Sequence, residues 1–163
     1  MQIHVIIETS LLLEEYSNPS TDPKNPTMVS NKFLCVVKAG ESDGFFELGE
    51  NKIKVKKDVV DEISFHVISE SANFDSPVLL YDLKHHGENE ILDKFLVSAS
   101  EIDTIVPISF DPLETTIETR MFLVNKILVT GIGVEEYGIY FGVFSYDFTS
   151  LGYFEFRFIL EIE

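Results

Sequence analysis

Histidines beside carboxylates are the residues of this chain most able to do chemistry, and one short stretch brings them together. His85-His86 has Asp82 before it and Glu88 after it, and neutral imidazoles with carboxylates are plausible metal ligands. Adjacent residues on a strand face opposite ways, however, and no second spaced ligand pair completes a tetrahedral set. A solvated turn without metal is the expectation. His66 lies between Phe65 and Val67, on the face opposite the aromatic, which places it at the surface or an edge. Hard cations need about six to eight converging oxygens. The acidic groups Glu41-Ser42-Asp43, Asp58 with Asp61-Glu62, and Glu135-Glu136 lack the D-x-D-x-D-G spacing and read as scattered solubilising charge. Cys35 sits in an apolar run, where desolvation raises a thiol's pKa and makes it inert. Gly-x-Ser-x-Gly is absent, and Gly131-Ile-Gly133 is a fragment of a dinucleotide fingerprint without the βαβ context that gives it a purpose. No catalytic residue, cofactor or metal is expected, and the chain does not read as an enzyme.

The elements that would position any site are strands. Phe154, Phe156, Phe158, Leu160 and Ile162 fall on one face while Glu155, Arg157 and Glu161 fall on the other, the period of a half-buried strand. Lys52 to Lys56 and Glu62 to Val67 alternate in the same way. Ile3 to Ile7, Phe33 to Val37, Pro77 to Leu83 and Ile139 to Phe144 are short apolar runs rich in β-branched and aromatic residues, with turn-rich flanks. Gly40 to Gly44, His86 to Asn89 and Thr149 to Gly152 supply the turns. Helical signal is sparse. Ser10 can cap one turn through Leu11 to Tyr16, Ser98-Ala-Ser-Glu101 has capping-box spacing, and Asp111-Pro112-Leu113-Glu114 reads as a turn because β-branched Thr115-Thr116-Ile117 follows. About nine short strands predict one all-β domain over residues 1–163: a two-layer antiparallel β-sandwich, Greek-key, immunoglobulin-like or jelly-roll-like, with short helical turns.

Composition agrees. The chain has 163 residues, 45% of them apolar and 14 of them Phe, enough for a packed core and too apolar for disorder. Its single cysteine forbids an internal disulfide. A formal net charge of −16 repels phosphate backbones and anionic lipids, so neither nucleic acid nor membrane is an expected partner. The start of the chain has no basic region before its apolar run, and no stretch reaches the ~18 apolar residues of a membrane span. A reducing cytoplasm is the expected location.

Two features point to a surface role. Ser17 to Thr27 holds three of the six prolines and cannot pair in a central strand, so it is an excursion from the sandwich. It either presents Asn18, Asp22 and Asn25 in a stable arrangement for a ligand or is a pinned crossover whose Asn and Asp side chains close turns. The second feature is a surplus of aromatics near the C-terminus. Tyr137 and Tyr146, near strand ends, are the expected exposed members, able to stack on a sugar ring or a neighbouring subunit.

The opening Val5-Ile-Ile-Glu8-Thr-Ser-Leu-Leu-Leu-Glu-Glu-Tyr16, followed by Asn18-Pro19-Ser20 and Asn25-Pro26-Thr27, resembles the start of the bacterial inclusion body protein family, the PixA/AidA group. Asn73-Phe74-Asp75-Ser-Pro-Val-Leu79-Leu80-Tyr81 resembles that family's central strand, and Leu151-Gly152-Tyr153-Phe-Glu-Phe its last hairpin. The family commonly has a Gly-Asp turn and a Trp-bearing strand where this chain reads Lys57-Asp58 to Phe65 and has no Trp. Phe65 can take the core place, but a ligand stacking on an indole would be lost. The resemblance implies a small cytoplasmic β-protein without a settled reaction, of a group in which some members are stored in dense inclusions and some are under quorum-sensing control. The expectation is a self-associating protein, a homodimer or larger, held dispersed at neutral pH by its charge. The alternative is a carbohydrate-binding module using the loop at 17–27 and exposed tyrosines.

Overall fold

The computed structural model describes residues 1–39, 44–47, 51–58 and 60–163. Among these residues eleven strands form two facing sheets: β1 (Gln2–Ile7), β2 (Thr27–Val29), β3 (Leu34–Ala39), β4 (Gly44–Glu47), β5 (Lys52–Val55), β6 (Glu62–Ser69), β7 (Val78–His85), β8 (Leu96–Phe110), β9 (Leu113–Leu128), β10 (Gly133–Phe144) and β11 (Ser150–Ile162). One sheet runs β3-β1-β6-β9-β8 and the other β4-β5-β11-β10-β7. β2 lies along the first part of β11 and β5 along its last part, on parallel ladders.

Alternation builds the core between them. Ile3, Val5 and Ile7 of β1, Ile63 and Phe65 of β6, and Ile139, Phe141 and Val143 of β10 are buried, as are the five residues from Phe154 to Ile162 that share one face of β11. Rings pack across the layers, where Phe65 meets Phe158, and within one, where Phe141 of β10 stacks on Phe154 of β11. Burying such side chains is the main favourable term in forming the two layers.

The all-β, two-layer expectation holds, but the sheets are mixed where purely antiparallel ones were expected. β1 pairs β6 in parallel, and β11 pairs β2 and β5 in parallel. A side-chain period of two reports which face is buried and is blind to the direction of the neighbouring strand. Three local readings change as well. Ser98 to Glu101 lies inside β8, where its neighbours are paired along the whole strand. His85 closes β7, so only His86 begins the turn. Cys35 is exposed, on the outward side of β3, so burial does not silence its thiol. The turn at Asp111-Pro112 is present, between β8 and β9. Gly40 to Asp43, with the acidic group Glu41-Ser42-Asp43, lies outside the described residues.

The expected helical turn is α1 (Thr9–Glu15), with a 3-10 turn at Asn31–Phe33 beneath it. Its cap is remote in sequence. Ser10 does not cap it; the Glu70 carboxylate, from the turn after β6, accepts the Thr9 N–H at 2.8 Å and the Thr9 hydroxyl at 2.9 Å. Free N–H groups at a helix start need such an acceptor.

Candidate functional site

The loop at 17–27 is held to the body by a close approach: a Cβ on Gly152 would lie 2.4 Å from Pro19 Cγ. Inside the loop the polar groups satisfy one another. Asp22 accepts the Lys24 N–H at 2.9 Å and the Asn25 side-chain amide at 2.7 Å, which pulls its carboxyl below the usual range. The Tyr81 hydroxyl donates to the Pro23 carbonyl at 2.9 Å. Asp22 and Asn25 therefore close turns together, while Asn18 is exposed two residues before the bridge at Ser20.

Of the two tyrosines expected at the surface, only Tyr146 is there, 80% exposed beside Phe148 in the turn between β10 and β11. Tyr137 is 3% exposed, a correction with a simple cause. It shares the inward face of β10 with Ile139 and Phe141, and its ring packs on His85 and Phe158. Burial pushes its phenol pKa up. The five candidate ligand residues thus do not converge on one place.

His85 and His86 diverge to opposite faces of their strand. His85 Nε2 lies 3.3 Å from Glu135, which also accepts the Glu88 and Asn89 N–H groups and so staples the following loop. His86 lies 3.0 Å from the buried carboxylate of Glu155, which takes a second contact from Arg157 Nε at 2.6 Å. The Tyr140 hydroxyl, 3.2 Å from His86, has its pKa pushed up to about 12 by burial and then by the Glu155 charge. A phenol so held stays protonated, and the carboxylate already has a guanidinium and an imidazole as partners. This is a satisfied polar network in which each named group has a partner. Among the described residues no group of three or more His, Cys, Asp or Glu is placed to hold a metal ion, and no helix is long and apolar enough to cross a membrane.

What stands out instead is a ribbon. The β6–β9 ladder stops at Phe65 and Asn125, yet β9 and β8 stay paired with each other out to Phe110 and Leu113. Beyond Asn125 the core-facing side of β9 has no opposite sheet above it. Leu123, Met121, Ile117 and Leu113, with Ile105 and Phe110 across the ladder, line that one face from foot to tip, each 50–80% exposed. A bulge between Pro107 and Ser109 returns Phe110 to the side of Leu113. Ile102, Phe122 and Leu96 occupy the other face and are exposed too. Reading for short strands missed this element, because apolar residues of both parities blur the alternation. The signal was a long stretch with one turn, at Asp111-Pro112, and no glycine.

At the ribbon's foot, where β9 parts from β6, is a groove of about 490 Å³. His4 and His66, stacked at 4.9 Å, lie along it with Leu79, Met121, Phe122 and Leu123. Asn125 donates to the Phe65 carbonyl at 3.2 Å, while its own buried Oδ1 has no partner among the described residues.

A family profile described as PixA, inclusion body protein, matches residues 1–162. The chain belongs to the PixA inclusion body protein family. Among solved structures, an inclusion body protein of the PixA family from Burkholderia cenocepacia J2315 is similar with a TM-score of 0.83 and 18% identity, over 99% of this chain and 94% of that chain. At that identity the likeness speaks for the fold alone. No curated protein matches. PixA membership agrees with the resemblance read from the N-terminal block.

Proposed function

We propose that this chain is a non-enzymatic cytoplasmic protein that self-associates and accumulates in dense intracellular bodies. Membership of the PixA family supports accumulation. The observation that carries self-association is the ribbon: monomeric soluble proteins seldom leave a contiguous apolar surface of this kind uncovered. The net charge of −16 sets the condition. At neutral pH copies repel one another, and repulsion fades as the pH falls toward the pI of about 4.5 or as salt shortens the Debye length to about 3 Å at 1 M. Light scattering and size-exclusion chromatography across pH and salt test this. Mass rising with salt and with falling pH is the expected result, and an unchanging monomer in both scans would overturn it. Expression under quorum-sensing control belongs to the same reading and is tested by following the transcript against cell density.

Carbohydrate binding is the second reading, favoured by the exposed pair Tyr146 and Phe148. Phe148 holds a left-handed backbone, φ 65°, a conformation costly for a bulky residue. Calorimetry with simple sugars, repeated on Tyr146→Ala, tests it, and the absence of saturable heat would exclude it.

A further inference from the structure

We infer that two copies associate by laying the apolar stripes of their ribbons against one another, antiparallel, so that the tip of each lies over the foot of the other. The inference rests on the self-association reading above and names its surface.

Three observations lead there. The first is geometry. Tip and foot lie along the same uncovered face, Leu113 at one and Leu123 at the other, ten residues apart along β9, or roughly 33 Å at strand rise. A two-fold axis crossing the ribbon midway exchanges the two patches in one operation, which is how symmetric dimers make a contact twice. Ile105 and Ile117 face each other across the β8–β9 ladder at that midpoint and would meet their own copies. Asp103 and Glu101 lie on this face between the midpoint and the foot. The rotation sets each opposite the tip half of the other ribbon, the half that carries Asp111.

The second is charge. Three other clefts are each lined by at least one carboxylate: Asp82, Glu90 and Asp93 in one, Glu14 and Glu15 in another, Glu136 in the third. The groove at the ribbon's foot is lined by none and holds two imidazoles. Its imidazoles face the outward side of the sheet, so on the stripe itself the charges that a tip carrying Asp111 and Glu114 approaches are Glu101 and Asp103, and the contact closes as falling pH or added salt relieves that repulsion.

The third is area and hydrogen bonding. Six large apolar side chains, on average about two-thirds exposed, offer on the order of 400 Å² of apolar surface per copy. Each side of a standard-size interface contributes about 800 Å², a little over half of it apolar, so the stripe and the groove walls together reach that size. The orphaned Asn125 Oδ1 calls for a donor, and the tip brings hydroxyls at Ser109, Thr115 and Thr116 among its apolar residues.

The test is a cysteine on the axis. In a Cys35→Ser background, Ile117→Cys should form disulfide-linked dimers under mild oxidation, because a residue on a two-fold meets itself. Glu118→Cys, one position along and on the opposite face, should give at least tenfold less. A mixing experiment checks the pairing of patches. Phe110→Lys at the tip and Leu123→Lys at the foot should each weaken the wild-type dimer, and an equimolar mixture should regain part of the association through the one contact left intact. If wild-type protein associates but Ile117→Cys cross-links no better than Glu118→Cys, the ribbon contact is wrong and self-association stands on another surface. If wild-type protein remains monomeric at every pH and salt, the functional reading fails and this inference with it.

Discussion

The sandwich body and the ribbon obey the same alternation of side chains and come to opposite ends. In the body, Phe154, Phe156, Phe158, Leu160 and Ile162 face a second sheet and are buried. In the ribbon, Ile105, Ile117 and Met121 continue the inward face of the sheet that holds β1 and β6, and they stay exposed. Alternation therefore decides which side of a strand is apolar, and only the facing layer decides whether that side stabilises the fold or remains available to a partner. The contrast predicts a large difference in cost. Phe156→Ala should destabilise the protein by about 3–5 kcal/mol through lost burial and a cavity. Ile117→Ala should change stability by no more than about 0.5 kcal/mol. Urea unfolding at neutral pH and low protein concentration measures both, and equal losses would mean that the ribbon is packed into the body.

Opening should differ as the energies do. A two-stranded ribbon without a third strand or a covering layer is marginal on its own. Backbone amides from Ser98 to Leu123 should exchange with solvent orders of magnitude faster than those of β1, β10 and β11, whose protection should approach global stability. Hydrogen exchange at low and high protein concentration sharpens the comparison. Ribbon protection should rise with concentration while body protection stays level, and slow ribbon exchange in dilute protein would break the distinction. Within the body, the clamp on the loop at 17–27 gives a smaller effect. Gly152→Ala drives a Cβ into Pro19 and should cost about 1–3 kcal/mol, the range of overpacking.

The body was largely legible in the sequence because its strands alternate cleanly. The face of β11 from Phe154 to Ile162, the burial of Phe65 with His66 turned outward, and the turn at Asp111-Pro112 all follow from period and turn chemistry. Direction was not legible. The parallel pairing of β1 with β6 joins segments about sixty residues apart, and nothing local encodes it. Tyr137 was misplaced because nearness to a strand end suggests exposure, whereas parity with Ile139 and Phe141 buries it. The ribbon escaped notice because its apolar residues occupy both faces, the pattern of a strand covered twice, while in the structure most of them, Val106 excepted, stay exposed. Among the candidate ligand residues, Asp22 and Asn25 behave as ordinary turn closers, and no local signal separates a side chain that closes a turn from one that waits for a ligand.

The smallest effect concerns how the two regions are tied down. The ribbon depends on its own cross-strand ladder, whereas the body closes on itself through contacts distant in sequence, among them Glu70 capping α1 from sixty-one residues away. Burial works to raise the Glu70 pKa, but the hydrogen bonds from Thr9 and Ser10 outweigh it and hold the carboxyl below its usual value. The unfolded chain, with an ordinary glutamate near 4.3, therefore takes up the proton first as pH falls. The stability the cap contributes is present in full above that value and is lost as pH drops through the lower folded value. Glu70→Gln keeps the shape and removes the charge. It should cost about 1 kcal/mol or less at neutral pH, since Glu70 is exposed and solvent screens the interaction. The gap between wild type and variant should narrow between about pH 5 and pH 3. Urea midpoints at low protein concentration across that range measure it, and a gap that does not change with pH would show that the helix start is held by the body's packing, with no contribution from the carboxylate.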